Sequence, residues 1–425
     1  MNLIIRQAKI IDRNSAFHNK IADILISDGI IKKIAEKISE KGDHEIDGQK
    51  CHLVPGFFDL HVNFCEPGFE YKEDLVSGCK AAVAGGYTGV LQMPSTYPVI
   101  QSRSGIEQIL NKTKSELVEV HVAGALSVDL EGKDLTEMFD MHQSGTNCFT
   151  DNKSAVQDAG LMMRALLYSK NFDGLIMSFP NDQSLSAKGQ MNESTVSTQL
   201  GLKGIPSIAE ELMVARDLML CAYAESRIHF STISTAGSVD LIRKAKAQGL
   251  RVTCDVAAHH LLLDDSSLEE FDTRFKMRPP LRTASDITAL KEGLKDGTID
   301  AICSDHEPED IESKQKEFDL AAFGAEGIET AFAVAYTALK DVMEFGQIVE
   351  KFSGSPRSII SLPIIKNAEG EKANFTLINL EEEWVVNEKD IRSKSKNNPF
   401  IGKKLLGKIK AVVNNNKFYP GPSFQ

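Results

Sequence analysis

Several common signals are missing from this 425-residue chain, and each absence excludes a class of protein. No run approaches about 18 consecutive apolar residues, so we expect no membrane-spanning helix. The apolar run at the N-terminus is too short for a secretory signal peptide. The seven cysteines include no Cys-x-x-Cys pair, which favours reduced thiols in the cytoplasm over a disulfide framework.

Basic charge is also scarce, because 48 Lys and Arg residues face 60 Asp and Glu residues and leave a net charge of −12. This balance argues against nucleic acid and against an anionic membrane as partners. The apolar content of 42% and the charged content of 25% are ordinary for a globular protein. At this length the chain can form one large α/β domain with an accessory module.

Short strand-like runs occupy both ends of the chain, whereas strands and helices alternate between them. Residues 1–54 and 363–425 are β-rich, so we predict that they form one composite domain. Residues 55–362 contain eight strand candidates separated by helical patterns, which predicts a (β/α)₈ TIM barrel. The alternative is an open doubly wound sheet, but no strand is followed by Gly-x-Gly-x-x-Gly. Ser207 to Glu210 has the spacing of a capping box, which predicts the start of a long helix.

The stretch from Pro55 to Asn63 is typical of a buried strand and would be the first of the barrel. His61 and Asn63 are two residues apart, so their side chains project from one face of that strand. Two histidines at this spacing would be a strong metal signal, but asparagine is a weak ligand for a transition metal. TIM-barrel chemistry lies at the carboxyl ends of the strands, so the other strand ends supply further candidates. These are Asn152, Phe179, Thr232 and Asp305.

Longer motifs give the sequence a specific resemblance over nearly its whole length. They include Pro55-Gly56-Phe57-Phe58-Asp59-Leu60-His61, residues 66–73, 80–88 and 296–302, Pro279-Pro280-Leu281-Arg282, Ser304-Asp305-His306, and residues 392–395 with 398–400. The sequence resembles the dihydroorotases of the multifunctional-complex type, which are amidohydrolases. The resemblance implies the barrel fold of the metal-dependent hydrolases. It also implies a place in pyrimidine biosynthesis, where the family interconverts N-carbamoyl-aspartate and dihydroorotate.

The metal positions that the resemblance implies have largely changed. His61 and Asp305 match two ligands of the family, and Asp305 also matches its general base. In place of three histidines and a bridging aspartate, the sequence has Asn63, Asn152, Phe179 and Thr232. One imidazole and one carboxylate cannot hold two zinc ions well, so we expect those four residues to bind no metal and the protein to need no cofactor. His61 and Asp305 would then be remnants, and Asp305 could pair with Arg278 or His306.

The positions that would contact substrate have changed as well. By resemblance the family has an arginine, two asparagines and a histidine where this sequence has, in that order, Cys65, Ser95, Arg278 and Glu309. Cys65 cannot hold a substrate carboxylate through two hydrogen bonds, as a guanidinium can. Arg278 is the one gain, since it could neutralise Asp305 or bind an anion, but it would repel a dication.

Other residues near the strand ends leave alternatives open. Lys153 could be carboxylated like the bridging lysine of hydantoinases, which share this fold, but it lies beyond the end of the fourth strand. Cys65 could be a nucleophile, yet it has no assigned base, so an inert thiol is favoured. His259 and His260 are expected to support loops rather than to bind metal.

Three functions from different classes remain. The favoured one is a non-catalytic homologue that supports a partner; the resemblance implies aspartate transcarbamoylase, and a homo-oligomer is expected. The second is an active dihydroorotase with an altered, mononuclear zinc site, in which His61 is a ligand and Asp305 the base. The third is an amidohydrolase for another cyclic amide. A metal assay separates the first from the other two, and a substrate screen separates the second from the third.

Overall fold

A computed structural model describes residues 2–421 of the chain. Its strands are β1 (Asn2–Ile10), β2 (Ile21–Ser27), β3 (Ile30–Ala35), β4 (His44–Asp47), β5 (Cys51–Pro55), β6 (Phe57–Val62), β7 (Tyr87–Gln92), β8 (Glu119–Val122), β9 (Cys148–Phe149), β10 (Leu175–Ser178), β11 (Met191–Asn192), β12 (Gly204–Ile205), β13 (Arg227–Phe230), β14 (Arg251–Ala257), β15 (Ala301–Cys303), β16 (Phe375–Val385), β17 (Lys404–Asn414) and β18 (Lys417–Pro420).

The α-helices lie mostly between the barrel strands. They are α1 (Leu75–Ala84), α2 (Arg103–Thr113), α3 (Met138–Gln143), α4 (Ala159–Ser169), α5 (Gln183–Ser186), α6 (Thr195–Leu200), α7 (Ile208–Ala224), α8 (Ala236–Ala247), α9 (Ala284–Asp296), α10 (Ile311–Lys314), α11 (Ala331–Leu339), α12 (Phe345–Phe352) and α13 (Gly354–Ile359). Within residues 2–421, none of these helices is long and apolar enough to cross a membrane.

Strands from both ends of the chain form one sheet. Its order is β18-β17-β16-β5-β1-β2-β3, and β4 pairs with β1. The antiparallel pairing of β16 with β5, which sets Phe375 opposite Pro55, joins the C-terminal strands to the N-terminal ones. Leu3, Ile5 and Leu377 are buried together in one apolar cluster on this sheet. The prediction of a β-rich part built from both termini is therefore confirmed.

The eight predicted middle strands form a parallel barrel in two segments. One segment has the order β6-β7-β8, and the other has the order β15-β14-β13-β10-β9. Parallel bridges between Gly124 and Phe149 and between Val62 and His306 connect the two segments at both seams. An open doubly wound sheet would leave two unpaired edges there. The predicted TIM-barrel fold class is confirmed.

Helix α7 begins close to where the sequence predicts, but the predicted capping box is not formed. The Ser207 side chain caps no backbone N–H of the helix. The Glu210 carboxylate instead accepts hydrogen bonds from the backbone N–H groups of Ser234 at 2.9 Å and Thr235 at 3.1 Å. Buried backbone donors need partners, so Glu210 satisfies the loop that follows β13 rather than its own helix.

Candidate functional site

The positions that the resemblance assigns to metal all lie at the carboxyl ends of barrel strands. They are His61 in β6 and the residues that follow β6, β9, β10, β13 and β15, namely Asn63, Asn152, Phe179, Thr232 and Asp305. The buried Asp59 aligns two of these ends, since its carboxylate accepts hydrogen bonds from the backbone of His61 at 3.0 Å and of Ser304 at 3.1 Å. The carboxyl ends of the first and last barrel strands, β6 and β15, therefore lie side by side.

A cavity of about 240 Å³ opens at this end of the barrel. All four predicted substrate positions line it, together with Asn63, Asn152, Lys153 and Glu307; the four are Cys65, Ser95, Arg278 and Glu309. The remaining predicted metal positions are buried and do not line it; they are His61, Phe179, Thr232 and Asp305. Lys153 and Asn152 line the cavity and also contact the buried Asp305 and His61, so they connect the two groups.

His61 is held on both sides by oxygen atoms. Its Nδ1 lies 2.9 Å from Asp305 Oδ1, and its Nε2 lies 2.6 Å from Asn152 Oδ1. A carboxylate oxygen only accepts hydrogen bonds, so Nδ1 donates to Asp305, and a proton on Nε2 as well would give the ring a positive charge. Burial and Lys153 oppose this charge, but Asp305 raises the pKa of His61 above its ordinary value. Both ring nitrogens are thus already engaged by oxygen atoms of the protein.

The Lys153 ammonium lies among the other positions that the resemblance assigns to metal. It is 2.7 Å from Asp305 Oδ1 and 3.4 Å from Thr232 Oγ1, and it lies 4.8 Å from the centroid of the Phe179 ring. The face of an aromatic ring attracts a cation. Burial raises the pKa of Asp305, but Lys153 and His61 outweigh it and hold that pKa well below its ordinary value. These contacts favour a charged amine at Lys153 over a carboxylated one.

The pairing predicted for Asp305 with Arg278 or His306 is wrong. The Arg278 guanidinium lies 4.4 Å from the centroid of the Phe323 ring, and none of the described carboxylates forms a salt bridge with it. His306 points away from the cavity and lies 3.7 Å from both Glu73 and Glu326. Lys153 reaches Asp305 instead, because its long side chain crosses the barrel mouth from the end of β9.

Two asparagines and a serine form a neutral polar group beside His61. Asn152 Nδ2 donates to Ser95 Oγ at 2.7 Å, and Asn63 Nδ2 donates to the same oxygen at 3.3 Å. Asn63 Oδ1 in turn accepts from the backbone N–H of Cys65 at 3.1 Å. Asn63 Oδ1 is thus engaged by Cys65 and Asn152 Oδ1 by His61, so both amide oxygens are already used in hydrogen bonds.

The other changed substrate positions carry little reactive chemistry. Cys65 is buried, and burial raises the pKa of its thiol well above the ordinary value, so the sulfur stays protonated. Glu309 forms an ion pair with Lys72 at 2.8 Å. Burial raises the pKa of Glu309 above its ordinary value, although Lys72 offsets part of this effect. Neither Cys65 nor Glu309 therefore offers the paired donors with which an arginine binds a substrate carboxylate.

Glu307 is a site residue that the sequence reasoning missed. Its carboxylate and the ligand atoms of His61 and Asp305 all lie within 4.8 Å of one another, and these three form the one group of possible metal ligands found among residues 2–421. The available signal was an acidic residue two positions after Asp305, just beyond the predicted end of the eighth strand.

Three nearby residues could be mistaken for ligands, and two of them, Asp151 and His260, have other partners. Asp151 accepts hydrogen bonds from the backbone N–H groups of Leu126 at 3.0 Å and Ser127 at 2.8 Å, so it fixes a loop. His260 Nε2 lies 3.2 Å from the Pro280 carbonyl oxygen. Burial lowers the pKa of His259 to about 4 and that of His260 well below its ordinary value, so both rings are neutral.

Comparisons with known proteins place this chain in a family. A family model described as dihydro-orotase-like matches residues 51–238. A dihydroorotase from Trichlorobacter lovleyi is 38% identical over 97% of this chain and 98% of its own length. One from Caldicellulosiruptor saccharolyticus is 41% identical over 98% of this chain and 97% of its own. The chain belongs to the dihydroorotase family. The resemblance predicted from the motifs is confirmed.

Solved structures support the fold of this dihydroorotase-family chain. An L-hydantoinase (dihydropyrimidinase) from Arthrobacter aurescens aligns with a TM-score of 0.85, at 21% identity, over 99% of this chain and 96% of its own. A D-hydantoinase aligns with a TM-score of 0.80, at 22% identity, over 100% and 98%. At this identity the likeness shows the fold alone, a TIM barrel with a β-rich sheet.

The residues of this dihydroorotase-family site do not fit two zinc ions. Two dications need several anionic or imidazole ligands. Most of the positions that the resemblance assigns to metal instead carry an amide, a hydroxyl or a phenyl ring. The donor set offers at most His61, Asp305 and Glu307 for one ion. Of these, Asp305 already contacts the Lys153 ammonium and His61.

Proposed function

We propose that this dihydroorotase-family protein holds no catalytic zinc, does not interconvert N-carbamoyl-aspartate and dihydroorotate, and serves pyrimidine biosynthesis by supporting a partner enzyme. The partner we propose is aspartate transcarbamoylase, and the setting is the cytoplasm. The observation that carries the proposal is the Lys153 ammonium, 2.7 Å from Asp305 at the centre of the former metal positions. A fixed positive charge in contact with the one remaining carboxylate ligand opposes a dication there.

The chemistry of the reaction supports the same conclusion. Hydrolysis of a cyclic amide near neutral pH needs an activated water and a base, and in this family the metal supplies the activation. The Asp305 pKa is held well below its ordinary value, so this carboxylate is a poor proton acceptor near neutral pH. Cys65 and Ser95 offer no substitute, because both are engaged by Asn63 or Asn152 and have no assigned base.

The motifs that do match the family have structural partners, which explains how the fold can persist without the reaction. Ser393 Oγ donates to the buried Glu73, and Asn398 Nδ2 donates to the buried Glu326 at 2.6 Å. Ser395 Oγ donates to the Glu309 carbonyl oxygen at 2.7 Å. Residues 393–398 are thereby fastened to the barrel mouth. These contacts stabilise the scaffold whether or not a metal is bound.

The second candidate is an active dihydroorotase with one metal ion. The cluster of His61, Asp305 and Glu307 favours it, as do the relatives that are named dihydroorotases. It requires Lys153 to leave Asp305 and a ring nitrogen of His61 to leave its oxygen partner. We therefore rank it below the non-catalytic function.

The proposal is tested by measuring hydrolysis and assembly with the full chain. The purified protein, supplied with Zn²⁺, is assayed on dihydroorotate beside the Trichlorobacter lovleyi dihydroorotase, and it is mixed with aspartate transcarbamoylase from its own organism. We expect no turnover above background, co-elution of the two proteins, and a higher melting temperature of the transcarbamoylase. Turnover near one per second, typical of enzymes, would refute the non-catalytic function. Separate elution without a thermal shift would refute the partner.

A further inference from the structure

Lys153 occupies a position that no matched motif explains. Its ammonium contacts three residues that stand where the family, by resemblance, has metal ligands, namely Phe179, Thr232 and Asp305. The side chain is 13% exposed and that of Asp305 is 3% exposed. A buried carboxylate needs a cation or several donors close by, because its desolvation is otherwise uncompensated.

The other cations near the cavity cannot take this role. Lys72 pairs with Glu309 at 2.8 Å, and Arg278 lies on the Phe323 ring. The second carboxylate, Glu307, is close to Asp305, so the two negative charges repel each other. Lys153 is therefore the lysine or arginine side chain that balances, beside His61, the charge that a metal ion would otherwise balance.

We infer that the Lys153 ammonium replaces a divalent cation. His61, Asp305 and Glu307 then form a latent site for one such ion, and Lys153 prevents the ion from binding there. One imidazole and two carboxylates, with a fourth position left for water, are a ligand set that zinc accepts. Removal of Lys153 takes the ammonium away from Asp305, leaves His61 as the remaining partner of that carboxylate, and opens space next to it. A dication then compensates the charges of both carboxylates. This inference rests on the proposed metal-free function of the wild-type chain.

The test compares zinc binding by the wild type, Lys153→Ala, Lys153→Gln and the double variant Lys153→Ala/Asp305→Asn. Lys72→Ala is the matched control, because it removes a lysine from the same cavity that does not contact the three ligands. Each protein is dialysed against Zn²⁺, its zinc content is measured, and its melting temperature is recorded with zinc and with chelator. The glutamine variant keeps a polar side chain of similar length in case the alanine variant does not fold.

We expect about one zinc per chain and a zinc-dependent rise in melting temperature for Lys153→Ala or Lys153→Gln, as for a site with three protein ligands. The wild type, Lys72→Ala and the double variant should bind none. A folded Lys153 variant without zinc would overturn the inference and leave the proposed function standing. Zinc retained by the double variant would overturn the assignment of Asp305. Stoichiometric zinc in the wild type would instead refute the proposed function.

Discussion

At the scale of single residues, Asp305 has opposite roles in a metal-free protein and in a metalloenzyme. In this structure it is the counter-ion of Lys153, at 2.7 Å, and of His61, at 2.9 Å. Removing one partner of a buried ion pair leaves an uncompensated charge. In a metalloenzyme stripped of its ion, removal of a ligand carboxylate would instead relieve repulsion between anions.

We therefore expect Asp305→Asn to lower the free energy of unfolding by about 3–5 kcal/mol in buffer with chelator. Lys153→Met should cost a similar amount. The double variant should cost clearly less than the sum, because the two residues interact directly. Urea denaturation of the four proteins measures this cycle. Additive losses would show that the two side chains are not coupled as the distance implies.

The residue scale is also where the sequence was least informative. Asn152, Thr232 and Asp305 have left-handed backbones, with φ of 50°, 53° and 50°. Such conformations are uncommon for residues other than glycine, and a β-branched Thr is an outlier there. They turn the chain just after the strands and aim the side chains that follow. No sequence pattern predicted this, so the position of Lys153, one residue after Asn152, could not be deduced.

At the scale of helices and strands, the sequence was far more informative. The apolar runs of all eight barrel strands are local features, and each strand appears where its run predicts. Contacts between distant elements were not predictable in this way. Glu210 has the spacing of a capping residue, yet it binds the loop at Ser234 because that loop lies beside the helix in the folded barrel. Lys153 and Asp305 likewise meet across 152 positions of sequence.

Helix α1 provides a prediction for the pH dependence of stability. Its N-cap Asp74 accepts hydrogen bonds from the backbone of Val76 at 2.9 Å and Ser77 at 2.8 Å, and it pairs with Lys394 at 2.5 Å. Burial opposes the negative charge, but Lys394 and Ser77 lower the pKa of Asp74 to about 2. A carboxyl group whose pKa falls on folding stabilises the protein above its unfolded pKa of about 4.

We expect Asp74→Ala to lower the free energy of unfolding by about 0.5–2 kcal/mol at pH 7. Asp74→Asn should cost less, since its amide oxygen can still accept the N-cap hydrogen bonds. The difference between the wild type and Asp74→Asn should be full above about pH 4 and should be lost as the pH falls through about 2, where Asp74 becomes protonated. Denaturation curves at several pH values measure it. A difference that persists well below pH 2 would exclude the carboxylate charge as its cause.

At the scale of the whole molecule, the fold follows the solved structures, whereas the positions that the resemblance assigns to metal hold other residues. The barrel and the composite sheet give the chain this fold, and His61, Asp305 and Glu307 are the one group of possible metal ligands among residues 2–421. Residues that act as one catalytic unit lose activity together, so restoring a single ligand should not restore the reaction. Thr232→His in particular should stay inactive, because Lys153 lies 3.4 Å from the Thr232 hydroxyl.

The central claim is that the wild-type chain has no catalytic metal site, and zinc stoichiometry tests it most directly. Protein purified without chelator is dialysed against micromolar Zn²⁺ and then against metal-free buffer, and its zinc is counted by elemental analysis. The Trichlorobacter lovleyi dihydroorotase is treated in parallel. We expect far less than one zinc per chain of this protein. One or two zinc ions per chain, bound tightly enough to survive dialysis and lost in His61→Ala, would contradict the claim.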